Sequence, residues 1–137
     1  MIKVIHEGEL VLRLRDGEDL MACLVESNVE SAFILNGVGM LRDLQLGYWN
    51  GTAYEAERIA GPVELLSLSG NLARKDGDLI VHAHAAVARC GGEALGGHVI
   101  RATVHNTAEI LIHRLSGITL ERRQEATGLA GLYPRAS

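Results

Sequence analysis

Leu79–Val104, LIVHAHAAVARCGGEALGGHVIRATV, consists of two apolar runs around a glycine turn. Leu79–Ala88 and Ala94–Val104 are each of strand length, and Cys90-Gly91-Gly92 between them supplies the backbone freedom of a tight turn. The stretch therefore reads as a β-hairpin. Side chains alternate faces along a strand, so His82 and His84 project from one side, roughly 6.5 Å apart by the rise per residue. With the turn centred on Cys90-Gly91-Gly92, the numbers of opposed residues sum to about 182, which sets His98 across from His84 and on the same face.

Reading outward, the same pattern repeats on both sides. Towards the N-terminus lie the Lys75-Asp76-Gly77-Asp78 turn, a strand at Val63–Ser69, the Gly61-Pro62 break, a strand at Tyr54–Ile59 and the hairpin signal Asn50-Gly51. Leu44–Trp49 and Ser31–Leu35 are further short apolar runs. Towards the C-terminus, His105-Asn106-Thr107 separates Val104 from a last strand, Ala108–Leu115. Ile2–Leu14 alternates loosely and reads as one or two strands joined near Glu7-Gly8. From Glu18 to about Glu30, Leu20, Met21, Leu24 and Val25 recur at helical spacing, with acidic residues in the expected first turn. The expected fold class is α+β: a mostly antiparallel sheet covered by one main amphipathic helix. Residues 1–137 are expected to form a single compact domain, with about 119–137 as a loose polar segment.

Composition narrows the function classes. A formal charge of −4, with 47% apolar and 22% charged residues, is that of an ordinary globular chain and lacks the basic excess of a phosphate-backbone binder. Phe33, Tyr48, Trp49, Tyr54 and Tyr133 are the only aromatics, too few for a base-stacking platform. Charges or glycines interrupt every hydrophobic run before the roughly 20 residues needed to cross a bilayer, so no membrane association is expected. Cys23 and Cys90 are the only cysteines and no leader-like segment opens the chain, which points to a cytoplasmic protein with reduced thiols.

The histidines carry the strongest chemical signal. Opposed Cβ atoms in a sheet lie about 5 Å apart, and imidazoles from such positions can converge on a metal at about 2.1 Å. Neutral nitrogen ligands from His82, His84 and His98 would leave a position open on a divalent ion, zinc being the first expectation. Gly96 and Gly97 beside His98 would remove side-chain bulk and leave room for a ligand. The plainer alternative is that His82 and His84 line a surface or a subunit interface, and a one-residue register slip would turn His98 away. No general base is evident, so catalytic residues remain unassigned.

The order of short motifs resembles the plants-and-prokaryotes conserved (PPC) domain. Leu12-Arg13-Leu14, Gly17-Glu18-Asp19-Leu20, Asn36-Gly37-Val38-Gly39, Leu41-Arg42-Asp43, Gly61-Pro62-Val63-Glu64-Leu65-Leu66-Ser67-Leu68-Ser69-Gly70, His82-Ala83-His84 and Gly96-Gly97-His98-Val99 carry the likeness. The resemblance implies a homotrimer of compact subunits and, as in prokaryotic members, a metal held at the positions of His82, His84 and His98. It also implies that Asn36, Gly37, Gly39, Arg42 and Asp43 form the wall of a pocket at the trimer interface for a small-molecule ligand. Family members are often labelled DNA-binding by extension from plant relatives with AT-hooks, so a DNA-associated or protein-interaction scaffold acting as a trimer is the alternative function. The chain holds no Arg-Gly-Arg-Pro core of that kind, and Arg122-Arg123 reads as part of a solvated segment. Glu64, in an apolar strand and facing solvent by default, and Cys90, in the hairpin loop, are weaker candidates; Cys23, His6, His105 and His113 read as structural or surface residues.

Overall fold

A computed structural model describes all residues, 1–137. Eight strands and one helix follow in order: β1 (Ile2–His6), β2 (Glu9–Arg15), α1 (Leu20–Glu26), β3 (Ala32–Trp49), β4 (Tyr54–Lys75), β5 (Asp78–Ala88), β6 (Ala94–Arg114), β7 (Ile118–Gln124) and β8 (Ala130–Ala136). One sheet holds them all in the order β1-β2-β6-β3-β4-β7-β8, with β5 pairing to both β4 and β6. Because β3 also pairs with both β4 and β6, the four longest strands form a closed ring. The pairings are antiparallel apart from a parallel bridge between Arg74 and Glu121.

This architecture corrects the α+β expectation: the chain is 72% strand and 5% helical, with one short helix. The helix expected over residues 18–30 is confined to Leu20–Glu26. Asp19 caps it by accepting from the Ala22 amide (2.8 Å), so the acidic residues precede the first turn rather than occupy it. At the other end Ser27 donates to the Leu24 carbonyl (2.6 Å), and Asn28 and Ser31 adopt φ of 52° and 54°, which a right-handed helix cannot continue. A sheet that bends and closes covers its own apolar face. Leu20, Cys23 and Leu24 are what the helix adds to a cluster of 26 buried residues supplied mainly by strands.

The short runs read from sequence fuse into long strands. From Ala32 the Ser31–Leu35 run, together with Leu44–Trp49, belongs to β3, Tyr54–Ile59 and Val63–Ser69 to β4, and the two runs around His105-Asn106-Thr107, as far as Arg114, to β6. Glycines and bulges that look like breaks act as bends within paired strands, the register shifting at Arg42/Leu44 and Leu65/Ser67. Gly70 serves close approach: a Cβ there would overlap the His82 carbonyl oxygen across the β4–β5 pair. Asn50-Gly51 does turn the chain, with Trp49 opposite Tyr54 and the Asn50 carboxamide oxygen accepting from Thr52 and Ala53 amides.

The segment expected to be loose is also ordered. Ile118 to Gln124 pair with Ala136 to Ala130 as a hairpin, and Leu120 is buried. Since Leu120 and Arg122 are two residues apart on β7, the strand that anchors Leu120 also turns Arg122 inward, leaving Arg123 exposed. No helix is long and apolar enough to cross a membrane.

Candidate functional site

On β5, Ala83 and Ala85 are buried while His82 and His84 face outward between them. The pairing sets His84 opposite His98, in the register expected from the glycine turn. One nitrogen from each of His82, His84 and His98 lies within 4.8 Å of the others. Ring centroids are 5.0 Å apart for His82–His84, 5.3 Å for His82–His98 and 5.5 Å for His84–His98. Neighbouring strands fix these positions: Asn71 and Ser69 of β4 oppose His82 and His84, and Gly47 of β3 opposes His98.

Aromatic residues wall one side. Tyr54 stacks on His98 with centroids 4.4 Å apart, and Trp49 meets Tyr54 edge-on at 5.3 Å. Arg122 closes another side. Its Nη2 donates to His82 Nδ1 (3.0 Å) and Asn71 Oδ1 (2.8 Å), and its Nη1 donates to the Ala130 carbonyl (2.7 Å). A guanidinium only donates, so His82 Nδ1 is the acceptor and the neutral ring carries its proton on Nε2. That proton is directed at His84 Nε2, 3.1 Å away.

The electrostatics keep His82 and His98 neutral. Burial, reinforced by Arg122 and the neighbouring imidazoles, lowers the His82 pKa to about 4. His98 is likewise lowered, first by burial and then by His84 and Arg122. Neutral imidazoles have free lone pairs at neutral pH, the state a metal ion requires. His98 Nδ1 is buried without a hydrogen-bond partner. An all-imidazole donor set suits zinc and similar borderline ions. Tetrahedral coordination at about 2.1 Å would set ligand nitrogens about 3.4 Å apart, so the wider separations in the group would close by small ring movements.

The other residues singled out in the sequence are placed differently. Beside Gly97 the space a Cβ would take is bounded by Tyr48 and Leu46, and beside Gly96 by the Ala85 backbone, so these glycines serve packing. The Tyr48 hydroxyl donates to the Gly96 carbonyl (2.8 Å). Asn36 Oδ1 accepts from its neighbour's amide (2.9 Å) and from Ser67 Oγ (3.3 Å), while Gly37 packs against Leu68 and Ile110. At Gly39 a Cβ would collide with the Thr107 carbonyl. Arg42 Nη1 donates to Asp16 (2.7 Å) and His105 Nδ1 (3.1 Å), and Asp43 sits exposed at the β3 bulge. These contacts are separate from the histidine group. Arg122 and Tyr54 were missed as site residues, because no spacing rule in the sequence brings β7 or the start of β4 to the β5–β6 hairpin; Asn71 was missed because the strand before the Lys75–Asp78 turn reads as ending at Ser69, although that turn pairs Asn71 with His82. A cavity of about 610 Å³ lies near Glu30, Arg74, His113 and Glu121 and includes none of the three histidines.

The fold and site thus define a class: a nearly all-β domain built on a closed ring of long strands, presenting a cluster of imidazoles on its surface. Residues 6–116 match the Plants and Prokaryotes Conserved (PCC) domain, and the chain belongs to that family. A plant- and prokaryote-conserved (PPC) protein of Pyrococcus horikoshii is 32% identical, with 94% of this chain and 92% of that one covered at a TM-score of 0.84. A protein of Archaeoglobus fulgidus described as metal-containing is 30% identical over 97% of this chain and 99% of that one, at a TM-score of 0.82. A Bacteroides thetaiotaomicron protein, provisionally described as DNA-binding, shares the fold at a TM-score of 0.88 with 22% identity, covering 96% of each chain. The Bifunctional protein GlmU of Synechococcus sp. (strain JA-3-3Ab) is 35% identical over 89% of this chain, which spans only 20% of that protein's length.

Proposed function

We propose that this chain is a metal-binding protein in which His82, His84 and His98 hold one divalent ion, zinc first among them, and leave a coordination position open to a small ligand. The observation carrying this reading is the convergence of three imidazole nitrogens within 4.8 Å, in a group that contains no carboxylate. Burial of His82 and His98 supports it by keeping their lone pairs free, as does the description of the Archaeoglobus relative as metal-containing. Metal bound there would act as a Lewis acid and acidify a coordinated water towards neutrality. Elemental analysis after zinc loading and desalting tests the site: one ion per chain is expected for the wild type, and almost none for a His82→Ala/His84→Ala double variant. Equal, low metal content in both would contradict it.

Self-association is part of the proposal. Val4 opposes Val11, Val11 opposes Leu111, and Leu35 lies at the adjoining bulge of β3, giving an apolar row across four strands. These side chains are 63%, 54%, 38% and 55% exposed, an area that burial between copies would remove from water. The homotrimer implied by the family resemblance would cover it. A DNA-associated scaffold is the second reading, supported by the provisional description of the Bacteroides neighbour and opposed by the charge of −4. Salt-dependent binding to duplex DNA would favour it, and its absence at low salt would remove it.

A further inference from the structure

Four arginines of this chain are partly buried: Arg42, Arg74, Arg89 and Arg122. Arg42 pairs with Asp16, Arg74 with Glu30 and Arg89 with Glu93. Arg122 has no carboxylate partner, although it sits against the histidine group, and its Nε is buried without an acceptor. A guanidinium remains charged at any physiological pH, so its positive charge stands beside imidazoles that contribute no negative charge. The nearby acids are committed elsewhere: Glu121 pairs with Arg123 and Arg135, and Glu125 accepts from the Tyr133 hydroxyl. Metal in the histidine group would add two further positive charges that no side chain of the group offsets.

Hydrogen-bond accounting leads to the same place. A histidine bound to metal through one nitrogen normally donates the other N–H to an acceptor. Next to His82 Nδ1 stands Arg122 Nη2 at 3.0 Å, which is itself a donor. If His82 ligates through Nε2, its proton moves to Nδ1, and two donors face each other with no acceptor between them. The missing partner is an acceptor, and the uncompensated charge requires it to be anionic.

We infer that this site takes a small oxyanion, a carboxylate or phosphate group, together with its metal, and that Arg122 is the residue that holds it. The inference rests on the metal reading above. Arg122 lies beyond residues 6–116, on the β7–β8 hairpin, so the anion-holding group belongs to a part of the chain outside the family match.

Cobalt(II) in place of zinc gives a visible ligand-field spectrum that reports both events. The full-length protein is loaded with cobalt and titrated separately with acetate and inorganic phosphate, as wild type, Arg122→Gln and Arg122→Lys. Cobalt is expected to bind all three at one ion per chain. At least one anion is expected to shift the wild-type spectrum saturably, with affinity weaker by about tenfold or more in Arg122→Gln and intermediate in Arg122→Lys, as for loss of a charge-assisted hydrogen bond. A response to acetate alone identifies a carboxylate site, and one to phosphate alone a phosphate site. Failure of the wild type to take up cobalt would defeat the metal reading itself. Cobalt uptake with no response to either anion, or with equal responses in wild type and Arg122→Gln, would overturn the oxyanion inference and leave the metal reading intact. Should circular dichroism show that a variant does not fold, calorimetric titration of the wild type decides: anion binding to the cobalt form and not to the metal-free form supports the inference, and no binding to the cobalt form refutes it.

Discussion

His82 is the residue on which the site's chemistry turns. Burial and Arg122 lower its pKa to about 4, whereas the unfolded chain releases that proton near the ordinary value of 6.5. Between these values the unfolded state binds a proton that the native state does not, so acidification favours unfolding. Metal-free protein should therefore lose stability as pH falls from about 6.5 towards 4, and His82→Gln should flatten that dependence. Urea midpoints at pH 7.0, 5.5 and 4.5 measure it, and identical slopes for the two proteins would show that His82 is not held neutral by its surroundings. Arg122 teaches a different lesson. It was legible only as half of an arginine pair; the alternation that places it on the same side as Leu120 was available, but nothing local says which strand that side meets.

At the scale of elements, the β5–β6 hairpin was readable because its turn residues fix its register, and the register alone aligns His84 with His98. The helix and the long strands were less readable. Leu20–Val25 has helical periodicity, but periodicity cannot report that Asn28 and Ser31 take left-handed conformations and end the run. Likewise Gly61-Pro62 and His105-Asn106-Thr107 have the composition of loops yet lie inside β4 and β6, where pairing with β3 at or beside each bend (Pro62 with Arg42, Val104 with Leu41, Ala108 with Gly39) carries the strand through. Gly70 shows how tight that pairing is. Gly70→Ala would drive a methyl group into the His82 carbonyl, and β4 would have to withdraw from β5. The expected cost is about 1–3 kcal/mol by chemical denaturation, as for overpacking elsewhere, with weakened metal uptake. Unchanged stability would mean that the two strands separate there at no cost.

At the scale of the whole molecule, fold class followed from connectivity more than from propensity. The amphipathic run suggested one main helix covering a mostly antiparallel sheet. Instead β5 joins β4 to β6 and closes the ring, so most of the core is strand against strand and the short helix is an accessory. Closure leaves the row at Val4, Val11, Leu111 and Leu35 outside. Light scattering should give three times the 14.7 kDa chain mass for the wild type. Val11→Glu/Leu111→Glu should shift that mass to the monomer, because the paired positions would bring like charges together at the interface. A wild-type mass equal to one chain would remove the trimer.

The metal centre is tested most directly by X-ray absorption at the zinc edge of the loaded protein. Three imidazole nitrogens at about 2.0–2.1 Å, with one further light-atom ligand, are the predicted shell. A shell of oxygens without imidazole scattering, or one unchanged by His82→Ala/His84→Ala, would contradict it.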